Sequence, residues 1–442
     1  MNMTRRFFLR STGLAAAYCA LSPLDLLAGQ AAAGKNAAAA IVKPISLIKP
    51  VTKNKTLVIL FLRGGADGLN LVIPYKEANY ATLRKSLAIA SPDKQNGALD
   101  LDGFFGLHPR MAAMLPLFNS GMAVAAHAVG YDKNTRSHFE EQDTWETGVA
   151  GNTIGSDGWL NRHLATSTGH GPLRAVSIGD SLPRILRGKE AAYALRGIED
   201  LAVPDTQGDQ AAITAGLEHA YQSNPLNHRA NARDLLASTG HETLDVMRQL
   251  QSITSQKYTP AVPYPKTPLG NKLMQVARLI KSSVGLEVAE VDLDGWDTHQ
   301  TQAYGAAGIE GPFGNLAQQL ADATAAFAND LHDRMDDVLL LTLSDFGRTA
   351  QTNGTNGTDH GWANCMFAMG GSVHKTSKGQ PRKVIGQWPG LNPDQLHQKR
   401  DLKHTTDFRD IIAEAVSTHL GNDNLPTLLP DHEFKKVGLV KG

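Results

Sequence analysis

Six short apolar runs punctuate this chain, at residues 56–62 (TLVILFL), 123–129 (AVAAHAV), 173–179 (LRAVSIG), 287–293 (EVAEVDL), 338–344 (VLLLTLS) and 365–371 (CMFAMGG). The run at 56–62 is continuously apolar instead of alternating, which predicts a strand buried on both faces. Between the runs, apolar residues recur at helical spacing over 110–119, 231–256, 271–284, 316–335 and 406–419. The clearest stripe joins Leu316, Leu320, Ala323, Phe327 and Leu331. Over 406–419, Asp407 falls in the first turn, where its charge complements the helix dipole. Strands alternating with helices predict an α/β layered fold around a mainly parallel sheet. In such sheets ligands bind beyond the carboxyl ends of the strands, so the strand ends are where chemistry belongs.

The first ten residues, MNMTRRFFLR, stand outside that pattern. Arg5 and Arg6 precede an apolar stretch at 13–27 and the small residues Ala31 to Ala33. This is the layout of a secretory leader with the twin arginine of the Tat exporter, expected over 1–33, and it sends the chain to the periplasm or outside the cell. Pro23 and Asp25 interrupt a stretch already shorter than the roughly 20 residues of a membrane span, so no permanent anchor is expected. Tyr18 stands where a lipidated Cys19 would need a small neighbour. A flexible lead-in is expected at 34–55, and a single domain over 56–442 with a helical middle section at about 205–284. Once Cys19 leaves with the leader, Cys365 has no partner for a disulfide, and stability must come from a buried core. Lys plus Arg and Asp plus Glu both total 43. Neither a basic excess for nucleic acid nor an acidic block is present.

The strand ends share a vocabulary. The first runs into Arg63-Gly-Gly-Ala-Asp67-Gly, read either as a carboxylate held where glycines turn the chain or as a plain Asp-Gly turn. No Walker lysine or GxGxxG accompanies it. The second leads to Arg136-Ser137-His138, where Ser137 is either a hydroxyl to be activated by a metal or the cap of a helix beginning near Phe139. Arg136 lies ready as an oxyanion partner. The fourth leads to Asp297-Thr-His299; in extended chain these two face one side and Thr298 the other, a reasonable ligand pair for zinc, manganese or iron. The fifth ends in Asp345-Phe346-Gly347-Arg348, a carboxylate followed by a planar fork suited to phosphate or sulfate. The polar loop after it ends in Asp359-His360, which alone reads as a surface turn. Together these residues predict a one- or two-metal hydrolytic site at one sheet edge.

The segments LFLRGGADGLNLVIPY, FGLHPRMAAMLPLFNSG, RSHFEEQDTWETG, GWLNRHL, SIGDSLPRILRG, GWDTHQ, SDFGRTAQTNG, GTDHGWAN and TTDFRD resemble, in order, the bacterial DUF1501 family over about 56–419. That family lacks a settled activity and is similar in turn to the alkaline phosphatase and sulfatase superfamily. The resemblance implies a three-layer α/β/α fold, a dinuclear centre and a hydroxyl nucleophile. Carried over, Asp67 is a carboxylate ligand and Ser137 the nucleophile. Asp297, His299 and His360 serve one metal, and Asp345 the other. Two departures follow: Phe346 stands where a histidine ligand is implied, leaving His138 as its substitute or one site empty, and Asp-x-His is tighter than the implied spacing.

Two functions follow. One is an exported hydrolase of phosphate or sulfate esters, small-molecule or glycan, using one or two ions of zinc, manganese, calcium or magnesium. Its residues are Asp67, Ser137, His138, Asp297, His299, Asp345, Asp359 and His360, with Arg348 and Arg136 on the oxyanion. The other is a non-catalytic exported binding or assembly protein with a degenerate site, acting with a partner of the DUF1800 family, whose genes neighbour DUF1501 genes. Tat export alone suggests an oxidoreductase, which no dinucleotide fingerprint, CxxCH or cysteine cluster supports. Trp296, Trp362 and Trp388 either line a pocket or pack loops against the sheet.

Overall fold

A computed structural model describes residues 55–441, apart from 152–155, 170, 172, 200–231, 306–307 and 376–378. The expected leader, nearly all of the lead-in and the 205–231 part of the helical middle section lie outside the described residues.

The large sheet contains β1 (Thr56–Leu62), β5 (Ala123–Gly130), β6 (Ala175–Ile178), β7 (Tyr193–Leu195), β8 (Val288–Leu293), β9 (Val338–Ser344), β10 (Asn364–Gly370), β11 (Val384–Ile385) and β12 (Thr406–Asp407). Their order is β11-β5-β10-β9-β1-β8-β6-β7, with β12 beside β5. All six apolar runs are strands of this sheet. A three-stranded antiparallel sheet, β2 (Val72–Ile73), β4 (Gly106–Leu107) and β3 (Leu99–Asp100), sits apart. Strands of two residues are too short to leave a period in the sequence.

Every residue of β1 is buried, as its unbroken apolar run requires. Its alternate residues feed two cores. Val58, Leu60 and Leu62 pack with Phe118 of α1 (Leu115–Ser120), Val246 of α4 (Ala232–Thr254), Leu273 of α5 (Pro268–Lys281) and Leu320 of α6 (Pro312–Leu331). Leu57, Ile59 and Phe61 pack with Trp145 of α2 (His138–Thr147), Leu160 of α3 (Trp159–Thr166) and Ile411 of α7 (Phe408–Glu414). Helices on both faces of a mostly parallel sheet make the three-layer α/β/α architecture.

One strand breaks the parallel pattern. β10 is antiparallel to both β5 and β9, whereas β8 and β9 flank β1 in parallel. The segment entering β10 therefore lies at the rim where β1, β5, β8 and β9 end. Two expected helices change form. Residues 109–114 are 3-10 turns leading into α1, where Pro109 and Pro116 shape the chain. Asp407 belongs to β12 and caps α7 from outside by accepting from Arg409 N. Trp296 is fully buried, and Trp388 packs on Phe105 and His127, so both serve as packing.

Four buried histidines are held neutral by fixed partners. His127 and His419 each donate from Nε2 to backbone carbonyls of Val72 and Thr56, and His108 and His163 accept at Nδ1 from Arg110 N and the Asn422 amide. Burial lowers all four from 6.5 to about 4. The unfolded chain, with ordinary imidazoles, binds more protons between those limits. Stability is therefore full above about pH 6.5 and falls as the pH drops toward about 4. Urea midpoints should decline across that window, less steeply in His127→Gln, which keeps an N–H for the Val72 carbonyl. A midpoint flat from pH 7 to 4 would contradict this account.

Candidate functional site

The rim gathers side chains from four segments that the sequence keeps far apart. Gly64 and Gly65, after β1, adopt φ of 111° and 70°. A Cβ on Gly64 would lie 2.7 Å from Asp297 N, and one on Gly65 would meet the Phe346 ring at 2.6 Å. Only glycine allows these loops to close on one another.

Asp297 lies at the centre. Its Oδ1 is 3.0 Å from His299 Nε2, 3.3 Å from His360 Nε2 and 3.5 Å from His138 Nε2. His138, Asp297 and His360 each offer a donor atom within 4.8 Å of the others. His299, outside that set of three, brings its Nε2 to 2.9 Å from His360 Nε2. The alternation read from the sequence is realised, since Thr298 turns inward and is buried while its two neighbours face outward.

Each imidazole is aimed from behind. His138 Nδ1 bonds Asp345 Oδ2 at 2.6 Å, His299 Nδ1 bonds Asp359 Oδ1 at 3.1 Å, and His360 Nδ1 bonds the Arg136 carbonyl at 2.8 Å. A carboxylate or carbonyl can only accept, so all three rings carry the proton on Nδ1 and, when neutral, a lone pair on Nε2. His138 Nε2 is buried without a hydrogen-bond partner. Three carboxylates, Asp297, Asp345 and Asp359, stand around the imidazoles; Arg348 pairs with Asp297 and Arg400 lies near Asp359, which leaves one carboxylate in excess.

The titrations follow the contacts. The Asp345 hydrogen bond leads in raising His138, while burial leads in lowering His360. Burial acts to raise Asp297, but the Arg348 hydrogen bond and charge, with His299 and His138, outweigh it and hold the carboxyl below its ordinary value. Asp359 is lowered chiefly by the hydrogen bond from Asn353, then by His299.

Several expected roles change. Asp345, expected at a second ion, has both oxygens engaged by protein: Oδ2 takes His138 and the Gln142 amide at 2.9 Å, and Oδ1 takes Gly64 N at 3.1 Å. Asp359 stands behind His299 in the same way. Asp67 is fully buried against Arg84, which grips both its oxygens, and against the Gln302 amide at 2.6 Å. Burial with a guanidinium, rather than an open rim, decides its role. Arg348 is also buried, donating to the carbonyls of Gly64, Gly65, Trp296 and Thr358 and to Asp297 Oδ1. It binds loops, where the sequence suggested an oxyanion. Arg136 holds Asp401 at 2.6 Å and Gln398 at 2.8 Å and lies over Trp362; it reaches the site only through its carbonyl, turned by a φ of 61°. Phe346 packs against the rings of His138 and His360 at 4.8 and 4.6 Å.

Ser137 is the half-buried N-cap residue of α2, immediately before His138, and its side chain makes no cap hydrogen bond. The approach that sets it is held by Glu141, fully buried, which accepts from Tyr131 Oη at 2.8 Å and from Thr135 N at 2.7 Å. Glu141, Gln142 and Gln302 carry no sequence signal, because glutamates and glutamines on helices and loops are ordinary solvent residues.

The family model described as "Protein of unknown function (DUF1501)" matches residues 54–424. No curated protein matches the chain. Among solved structures, the C-terminal periplasmic domain of EcEptC from Escherichia coli, in complex with zinc, is 10% identical at a TM-score of 0.34, covering 76% of this chain and 80% of that one. The PsFucS1 sulfatase from Pseudoalteromonas sp. is 13% identical at 0.31, covering 82% and 68%. A protein in the alkaline phosphatase superfamily from Vibrio parahaemolyticus is 12% identical at 0.32, covering 82% and 71%. These are likenesses of overall fold, and none assigns a residue role here.

Replacing Arg348 with lysine removes the fork while keeping the charge. Four carbonyls and a carboxylate then share one ammonium, so the unfolding free energy should drop by about 2–4 kcal/mol in urea titrations. A loss below about 1 kcal/mol would show that the fork does not hold these loops.

Proposed function

The chain belongs to the DUF1501 family, and on that premise we propose that it is an exported, metal-dependent hydrolase of phosphate or sulfate esters. The 2.9 Å separation of His299 Nε2 from His360 Nε2 carries the reading. Both nitrogens hold lone pairs when neutral, and two lone pairs tolerate that distance only with a proton or a metal cation between them. Three imidazoles and a carboxylate suit zinc, iron or manganese, whereas calcium and magnesium prefer oxygen. With Asp67 and Asp345 engaged elsewhere, the donors favour one ion, held by His138, Asp297, His299 and His360.

When bound, such an ion polarises an ester oxygen and lowers the pKa of a nearby hydroxyl. Ser137 is the nucleophile of this reading. Its Oγ loses its proton and attacks phosphorus or sulfur, the P–O or S–O bond to the alcohol breaks and the alcohol leaves with that proton. Water then breaks the bond from Oγ to phosphorus or sulfur, adding its hydroxyl to the acid and its proton to the serine. The first-turn amides of α2 favour negative charge beside it. Asp345, Asp359 and the Arg136 carbonyl keep the three Nε2 lone pairs facing the centre. Outside the cytoplasm is where the twin-arginine leader would send such an enzyme; no described helix is long and apolar enough to cross a membrane.

One observation favours the second reading. Arg136 and Arg348, the two guanidiniums expected on an oxyanion, are committed to protein acceptors. A protein that holds a cation without turning over an ester, and binds a partner such as a DUF1800 protein, would need neither. Purified protein should contain about one zinc-like ion per chain, and His360→Ala should lose it. Ser137→Ala should abolish hydrolysis of an aryl phosphate or sulfate. Metal without turnover in a broad ester screen selects the second reading; absence of metal after loading with zinc removes the hydrolase and leaves the non-catalytic protein with a degenerate site.

A further inference from the structure

Beneath the donor loops lies a buried polar layer that the reading above leaves unused. Gln302 is fully buried, and each end of its amide is engaged. Oε1 accepts from Thr298 Oγ1 at 3.0 Å and from Thr358 Oγ1 at 2.7 Å, and Nε2 donates to Asp67 Oδ2 at 2.6 Å. Asp67 is fixed in turn by both terminal nitrogens of Arg84. The two threonines are the residues that matter for placement. Thr298 stands between Asp297 and His299, and Thr358 immediately precedes Asp359 and His360.

We propose that Gln302 is a positioning residue of the metal centre, one that clamps the 297–302 segment to the 353–360 segment and so sets His299 against His360. The inference rests on the metal reading of the same site. An outward-facing donor in extended chain needs an inward-facing neighbour; on the 297–302 segment the clamp grips that neighbour, Thr298, and on the 353–360 segment it grips Thr358, next to Asp359, the acceptor behind His299. Backbone bonds run alongside it, from Gln302 N to Asn356 O at 2.9 Å and from Thr301 N to Thr355 O at 3.0 Å. These fix the approach of the two segments. The side-chain hub fixes their register, because a slip of one residue would take Thr298 or Thr358 off the Gln302 amide and carry His299 or Asp359 away from its partner. Asp67 thereby acts on the centre through Gln302 and Thr298, without touching the ion.

The test uses the full-length chain with zinc(II) and cobalt(II) as probes. Gln302→Leu takes the acceptor from two hydroxyls and one of two donors from Asp67 Oδ2, which keeps Arg84. Thr358→Val removes one hydroxyl at nearly constant shape, and Thr358→Ser keeps it. Zinc affinity should fall about 10- to 100-fold in Gln302→Leu and Thr358→Val and return in Thr358→Ser. The cobalt(II) visible spectrum should change in the same two variants. Asp330→Asn is the control: that carboxylate accepts from Tyr264 Oη at 3.0 Å and from Ala261 N at 2.7 Å within another part of the core. It should lower stability and leave zinc affinity unchanged. If Gln302→Leu or Thr358→Val lose stability while binding zinc as the parent chain does, the clamp is structural only and the proposal is overturned. Should Gln302→Leu not fold, the threonine pair decides alone. Zinc binding by the parent chain tests the metal reading separately, so the two failures are told apart.

Discussion

Three imidazoles at one rim have no freedom to point their Nε2 atoms elsewhere, and the centre depends on that constraint. Asp345, Asp359 and a backbone carbonyl each occupy an Nδ1. The acceptors differ in kind and come from different segments, yet the consequence is the same. Each ring presents a lone pair toward Asp297, which already carries the charge a cation needs. His138 Nε2 is buried and has no hydrogen-bond partner among the described residues. A donor set with fixed tautomers has already met part of the ordering cost of binding.

The guanidiniums tell a complementary story. Arg84, Arg136 and Arg348 are each spent on the protein itself, binding Asp67, Asp401 and a ring of loop carbonyls. Burial explains this. A guanidinium sunk among loops must satisfy its donors locally, and carbonyls released where strands end are the nearest acceptors. The rim therefore gains rigidity at the expense of free positive charge. Recognition of an anion would fall to the cation itself and to the first turn of α2.

Glycine and threonine close these loops on one another. Gly64 and Gly65 allow the β1 loop to press against Asp297 and Phe346, and Thr298 and Thr358 turn inward to the amide of Gln302. The antiparallel β10 matters as much. Because it runs against its neighbours, its amino end, not its carboxyl end, reaches the rim, and this brings His360 to histidines carried by parallel strands. A parallel β10 would carry that segment to the opposite edge.

The sequence by itself determined six strands of the large sheet and the layered class, and it named the rim side chains without separating their roles, since unbroken apolar runs bury on both faces and polar residues at their ends must surface at one edge. The Asp-x-His alternation was legible for the same reason: period two is a local property. Which carboxylate stands among the imidazoles and which stand behind a histidine was decided by tertiary structure alone. Asp67, Asp345 and Asp359 are chemically alike in the sequence, and only the approach of Arg84, His138 and His299 from distant segments separates them. Gln302 left no local trace, because an amide acquires meaning only from what packs against it. Local periodicity records which face a side chain takes; it holds no record of the partner that waits there.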